Sequence, residues 1–197
     1  MNLPNKLTVF RIVLVPIIVL VWLFPYEEFG ITFITFHFGA ISLSLLNVIV
    51  LLLFAIASFT DFLDGQIARR RNLITTFGKF ADPIADKLLV NTLFILMAFE
   101  RYIPVLPVII MLGRDTIVDG CRMMASRNGV VVAAGILGKL KTVLQMLTLI
   151  FVLLNGLPFS IFGIPFTDFL LWFATLISVA SGYSYFIQMK DYIFESK

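Results

Sequence analysis

Four aspartates fall within 26 residues of one another: Asp61, Asp64, Asp82 and Asp86. They form two pairs, spaced three and four apart, and residues at those spacings share a helix face. Gly65 and Ala68 follow the first pair with almost no side chain, and Arg69 lies one turn beyond Gly65. Gly78 stands one turn before Asp82 and lets a helix start close to its neighbour. All-oxygen donors suit a hard cation such as Mg²⁺ or Mn²⁺. Two such ions about 3.5–4 Å apart would clamp a transferring phosphate. One carboxylate would remain as a general base for an attacking hydroxyl.

These acids sit in an oily chain. Of 197 residues, 60% are apolar and 14% charged, and mean hydropathy is +1.02. An ordinary soluble domain is about half apolar and a quarter charged. The bilayer is therefore the expected solvent, and the chain is expected to form a single membrane domain over 1–197. A carboxylate at the centre of a spanning helix costs about 2.5–3.5 kcal/mol. Four together demand compensation by bases, protons or bound cations. The formal charge of +3 gives no argument for nucleic acid. One cysteine, Cys121, and one histidine, His37, exclude an intrachain disulfide and a cysteine or histidine-rich metal cage.

The elements that must position the acids are helices, since backbone groups in lipid have to pair internally and no strand-length alternation recurs. Six spans are expected. The first runs from Leu7 or Ile12 to Phe24, with no small-residue cleavage site after it, so it reads as a retained helix. The others run from Gly39 to about Phe62, from about Phe80 to Phe99, from near Tyr102 with apolar character lost at Arg114 and a polar half beyond, from about Leu140 to Leu157 and from about Ile164 to Gln188. With that division, 14 of 15 basic residues fall on one face and only Arg101 on the other. The positive-inside rule makes the richer face cytoplasmic, with both ends of the chain and all four aspartates on it. Arg70 and Arg71 read as topology determinants. The linker between spans two and three is short, so the two acid pairs face each other across a helical hairpin.

The pattern Asp61-x2-Asp64-Gly65-x2-Ala68-Arg69-x8-Gly78-x3-Asp82-x3-Asp86 resembles the signature of the CDP-alcohol phosphotransferase family at every fixed position. Asn5-Lys6-Leu7-Thr8 with Arg11, the run Asp82 to Lys87, and Gly138-Lys139-Leu140-Lys141-Thr142 with Gln145 resemble the phosphatidylglycerophosphate synthases of that family. The resemblance implies an all-α membrane protein of six transmembrane helices, often a homodimer, with a cytoplasm-facing polar cavity. It implies two divalent cations, Mg²⁺ or Mn²⁺, held by Asp61, Asp64, Asp82 and Asp86, with Asp86 also the general base. Asp61, Gly65, Ala68, Arg69 and Gly78 would border the cytidine diphosphate of CDP-diacylglycerol.

An acceptor such as glycerol 3-phosphate needs an anion site as well. Arg114 and Arg122 are eight residues apart, about 80° around a helix. Lys139 and Lys141 open the fifth span, and Arg11 sits at similar depth on the first. Intramembrane bases are functional candidates by default. The competing reading is a ladder of ion pairs through Asp115, Asp119 and Arg122. Lysines two apart do not share a helix face, so at most one of the pair is expected to reach a cavity. Other acceptors within the family are inositol phosphate, phosphatidylglycerol and serine. Outside it, an ion-binding transporter would also need membrane carboxylates, but such folds often show repeated halves or broken helices, and neither is visible here.

Overall fold

A computed structural model describes residues 2–39, 41–70, 75–127 and 135–194, with the side chains of residues 68, 69, 79, 126, 127 and 191–194 left aside. The described residues form six α-helices: α1 (Leu3–Leu23), α2 (Leu45–Arg70), α3 (Thr76–Phe99), α4 (Val105–Arg127), α5 (Ile136–Leu153) and α6 (Phe166–Phe194). The protein is an all-α membrane protein in architecture. Four of the helices are long and apolar enough to cross a membrane: Leu3–Leu23, Leu45–Ile67, Ile136–Leu153 and Phe166–Lys190. The remaining two are of similar length, 24 and 23 residues, but carry the charges of the polar cluster.

Helix starts follow local chemistry. Asn2 caps α1 by accepting from the Asn5 amide at 3.3 Å, and Pro4 occupies the first turn, where a missing N–H costs nothing. Ser44 accepts from the Leu46 amide at the start of α2. Thr75 caps α3, accepting from the Gly78 amide at 3.0 Å.

The expectation that no strand occurs is corrected. Thr35–Phe38 (β1) and Ile41–Ser44 (β2) form a two-stranded antiparallel hairpin, Phe38 opposite Ile41. Gly39, at φ +65°, supplies the left-handed turn that other residues resist. The second helix accordingly begins at Leu45, not Gly39. An apolar run of this length does not distinguish strand from buried helix by periodicity.

The helices pack as two groups. α1 lies against α2 and α3, and α6 against α4 and α5; α3 touches α4 and α5, and α2 touches α5. Ile18, Val50, Phe54, Leu93, Met97, Met111, Leu149 and Leu171 draw on all six helices and share one continuous core. Between helices in lipid, close packing and interhelical hydrogen bonds replace the hydrophobic drive. Asn47 provides one such bond, from α2 to the Leu153 carbonyl of α5. Outside the core, Leu20, Leu52, Phe59, Ile109 and Leu176 are exposed, as lipid-facing side chains would be.

Candidate active site

The acid cluster is assembled by the first turns of α1. Asn5, Thr8 and Arg11 recur every three residues, so they share a face, and all three are buried (7%, 1% and 0% exposed). Asn5 accepts from the Thr75 hydroxyl at 2.8 Å. Thr8 donates to the Asp82 carboxylate at 2.6 Å. The Arg11 guanidinium forks between two carboxylates of α2, bonding Asp61 through one nitrogen and Asp64 through the other, the latter at 2.5 Å. One face of α1 thus ties the ends of α2 and α3 together. A methyl on Gly78 would stand 3.3 Å from both Asn5 Oδ1 and Thr75 Oγ1, so the glycine lets this corner close.

The four aspartates sit at the adjoining ends of α2 and α3, where Arg11 links Asp61 to Asp64 and Thr8 reaches Asp82. Their chemistry fits hard divalent cations: carboxylate oxygens, with no histidine or cysteine. Among the described residues, no three acidic, histidine or cysteine side chains converge closely enough to hold a metal. Two of the four instead grip Arg11. The donor set fits a cation, and the cation found there is a guanidinium.

Arg11 therefore stands with the acids and not with the other bases. Of the residues expected near cytidine diphosphate, Asp61 is half-buried, Gly65 lies one residue past Asp64 on α2, and Gly78 is buried at the start of α3. The side chains of Ala68 and Arg69 lie outside the described residues, as does Arg71.

The other bases come together. A cavity of about 200 Å³ is lined by Asp86 and Lys87 of α3, by Arg114, Asp115, Asp119 and Arg122 of α4, and by Lys139 and Lys141 of α5. Both lysines reach it, against the expectation of one. Lys141 is buried and Lys139 is exposed, so they arrive from different depths. Lys141 donates to both oxygens of Asp115 at 2.6 Å, and Arg114 donates to the same carboxylate at 2.8 Å. Lys87 pairs with Asp119. Arg122 does not join that ladder; it donates to the Tyr185 hydroxyl of α6. The Nε donors of Arg114 and Arg122 are buried with no acceptor among the described residues. Buried unpaired donors are costly, and an anion is the ligand that a surplus of such groups favours.

The sequence reading missed Asn5 and Thr8 as individual site residues, and with them Thr75, Ser181 and Tyr185. The first two stood in a motif already noted, and their spacing of three was the available signal. The α6 residues carry no charge and left none.

Comparison with known proteins gives the same direction. The CDP-alcohol phosphatidyltransferase family profile matches residues 1–180. The chain is similar to the CDP-diacylglycerol--glycerol-3-phosphate 3-phosphatidyltransferase of Bacillus subtilis, with 41% identity covering 94% of this chain and 93% of that one. It is similar to the protein of the same name from Rickettsia typhi, at 38% identity over 97% of this chain and 98% of that one. A third, from Salmonella choleraesuis, is 33% identical over 77% and 76% of the two chains. With the acid signature, the paired bases and these likenesses in hand, the chain belongs to the CDP-alcohol phosphatidyltransferase family.

Proposed function

We propose that the protein transfers the phosphatidyl group of CDP-diacylglycerol to glycerol 3-phosphate, giving phosphatidylglycerophosphate and CMP. One observation carries the choice of acceptor. Asp86, the last signature aspartate, lines the same cavity as Arg114, Arg122, Lys139 and Lys141. A carboxylate beside a basic pocket suits an acceptor with a hydroxyl at one end and a phosphate at the other. Serine carries no phosphate for those bases to hold. The printed names of the relatives support the same substrates.

In this reading Asp86 accepts the proton of the glycerol 3-phosphate hydroxyl. The freed oxygen attacks the β-phosphorus, the new P–O bond forms, and the bond to the bridging oxygen breaks. CMP leaves with that electron pair. Arg114, Arg122, Lys139 and Lys141 hold the acceptor's phosphate by charge-assisted hydrogen bonds, which turns an encounter into a positioned attack. Asp61, Gly65, Ala68, Arg69 and Gly78 border the cytidine diphosphate. Asp61, Asp64, Asp82 and Asp86 would hold divalent cations, Mg²⁺ or Mn²⁺. Bound there, such ions neutralise diphosphate charge and stabilise the charge that develops at phosphorus. Thr8 and Arg11 orient three of those four carboxylates.

The architecture that goes with this chemistry is one domain over 1–197 with six transmembrane helices, in the cell membrane as a homodimer. The chain's two ends and the polar cavity face the cytoplasm. At about 1.5 Å per residue, the 24 residues of α3 and 23 of α4 are long enough for a hydrocarbon core of about 30 Å. Their charges gather toward the end where the positive-inside rule wants them.

The test is an acceptor panel on purified protein in detergent, with CMP release and the mass of the lipid product as readouts. Glycerol 3-phosphate should support release that depends on added divalent cation, and the product mass should be that of phosphatidylglycerophosphate. Release with serine, inositol phosphate or phosphatidylglycerol, and none with glycerol 3-phosphate, would overturn the assignment.

A further inference from the structure

Helix α6 carries none of the signature aspartates and none of the bases that line the cavity, yet two of those bases rest on it. Arg114 donates to the Ser181 hydroxyl at 2.5 Å and its guanidinium carbon lies 5.7 Å from the centre of the Tyr185 ring. Arg122 lies closer to the same ring, at 4.9 Å, and donates to its hydroxyl. Ser181 and Tyr185 are one turn apart, so they share a face, and both are buried (1% and 3% exposed). Beside them, Gly182 leaves room for the stem of Arg114: a Cβ there would stand 2.9 Å from Arg114 Cγ. The stem, unlike the tip of the side chain, cannot shift without carrying the guanidinium with it. Gly138 of α5 comes near the same two residues, its absent Cβ 3.7 Å from Ser181 Oγ and 3.9 Å from the Tyr185 ring.

We infer that Ser181, Gly182 and Tyr185 are positioning residues that fix Arg114 and Arg122 as a preset anion clamp, so that α6 sets affinity for the phosphorylated acceptor. The inference rests on the reading that this cavity takes the acceptor's phosphate. Its physics is specific. Two guanidinium groups brought to one site repel, and an electron-rich ring near both of them offsets that repulsion. Each arginine has many rotamers, and ordering both only when ligand arrives would weaken binding. A hydroxyl, a ring and a missing methyl order them in advance. None of the three touches substrate.

The experiment measures initial rates of CMP release by the full chain in detergent, varying each substrate in turn. Tyr185→Leu should raise KM for glycerol 3-phosphate about 10-fold, the scale of a desolvated cation–π contact, with KM for CDP-diacylglycerol unchanged. Tyr185→Phe keeps the ring and should recover most of that loss. Gly182→Ala should behave like Tyr185→Leu; should it fail to fold, the two Tyr185 variants decide the matter alone. Arg114→Ala and Arg122→Ala test the underlying reading separately. Should they raise KM for glycerol 3-phosphate while the Tyr185 and Gly182 variants do not, the role of α6 is overturned and the acceptor site stands. Should the arginine variants leave that KM unchanged, the acceptor site falls and this inference with it. Equal losses toward both substrates in the α6 variants would mark a purely structural helix and also overturn it.

Discussion

Two clusters of charge, one where α1 meets the signature acids of α2 and α3 and one around the cavity between α3, α4 and α5, are opposite in sign. In the first set are Asp61, Asp64, Asp82 and Asp86, the first two of which bind one fully buried base, Arg11. In the second, Arg114, Arg122, Lys139 and Lys141, joined by Lys87 of α3, surround two acids, Asp115 and Asp119. Each set is partly neutralised by its own minority members, and each keeps a surplus. The surpluses have opposite sign and meet at Asp86, which belongs to the first set by sequence and lines the cavity of the second. A low-dielectric membrane interior does not tolerate such surpluses without ligands. In the proposed reaction the acid side takes cations, the basic side takes the acceptor's phosphate, and the reacting hydroxyl is delivered where the two adjoin.

Four substitutions can break or sharpen that contrast. Asp86→Asn removes the group common to both sides. It should lower kcat by about 10²–10⁴-fold, the usual share of a general base, while binding of CDP-diacylglycerol by the purified protein is retained. Normal turnover would end the role given to Asp86. Arg11→Ala strips the acid side of its internal base. Breaking a buried ion pair costs about 3–5 kcal/mol, so thermal stability in detergent should drop, and added divalent cation should restore more of it than it adds to the unaltered protein. Equal stabilisation of both would show that Arg11 and the cation do not share the same carboxylates.

On the basic side, Lys141→Met should raise KM for glycerol 3-phosphate about 10-fold, in line with the worth of one charge-assisted hydrogen bond. Arg114 still holds Asp115 in that variant, so the fold should survive, and steady-state kinetics with both substrates would read the effect. Thr8→Val is the mildest. It deletes the hydroxyl that holds Asp82, worth about 1 kcal/mol, and should lower kcat/KM a few-fold with KM for the acceptor unaltered. A rise in the acceptor's KM alone would mean that α1 serves the other set of groups.

Much of this is legible in the amino-acid sequence alone. The aspartate pairs could be assigned to two adjoining helix ends because spacings of three and four have one meaning on a helix. The meeting of Arg114 and Arg122 with one of the two lysines was anticipated from charge in a place where charge is expensive. Arg11 shows the limit. Its depth was readable, but the side it faces depends on how α1 rotates and crosses α2 and α3, which is settled by packing over the whole core. Lys139 and Lys141 erred in the opposite direction: a rule about helix faces ignored how far a lysine stem reaches. Ser181, Gly182 and Tyr185 were invisible because small or aromatic uncharged residues are ordinary in a spanning helix. The hairpin at Thr35–Ser44 escaped because four-residue strands are too short for their alternation to stand out.

The fork of Arg11 onto Asp61 and Asp64 also bears on how such a chain is made. Synthesis runs from the N-terminus, so the whole first helix, with its arginine, leaves the ribosome before Asp61 does. The aspartates of the second helix are delivered to a countercharge that is waiting for them. Two of the signature acids are thereby neutralised on the chain's own resources, with no ligand needed to bring the second helix against the first.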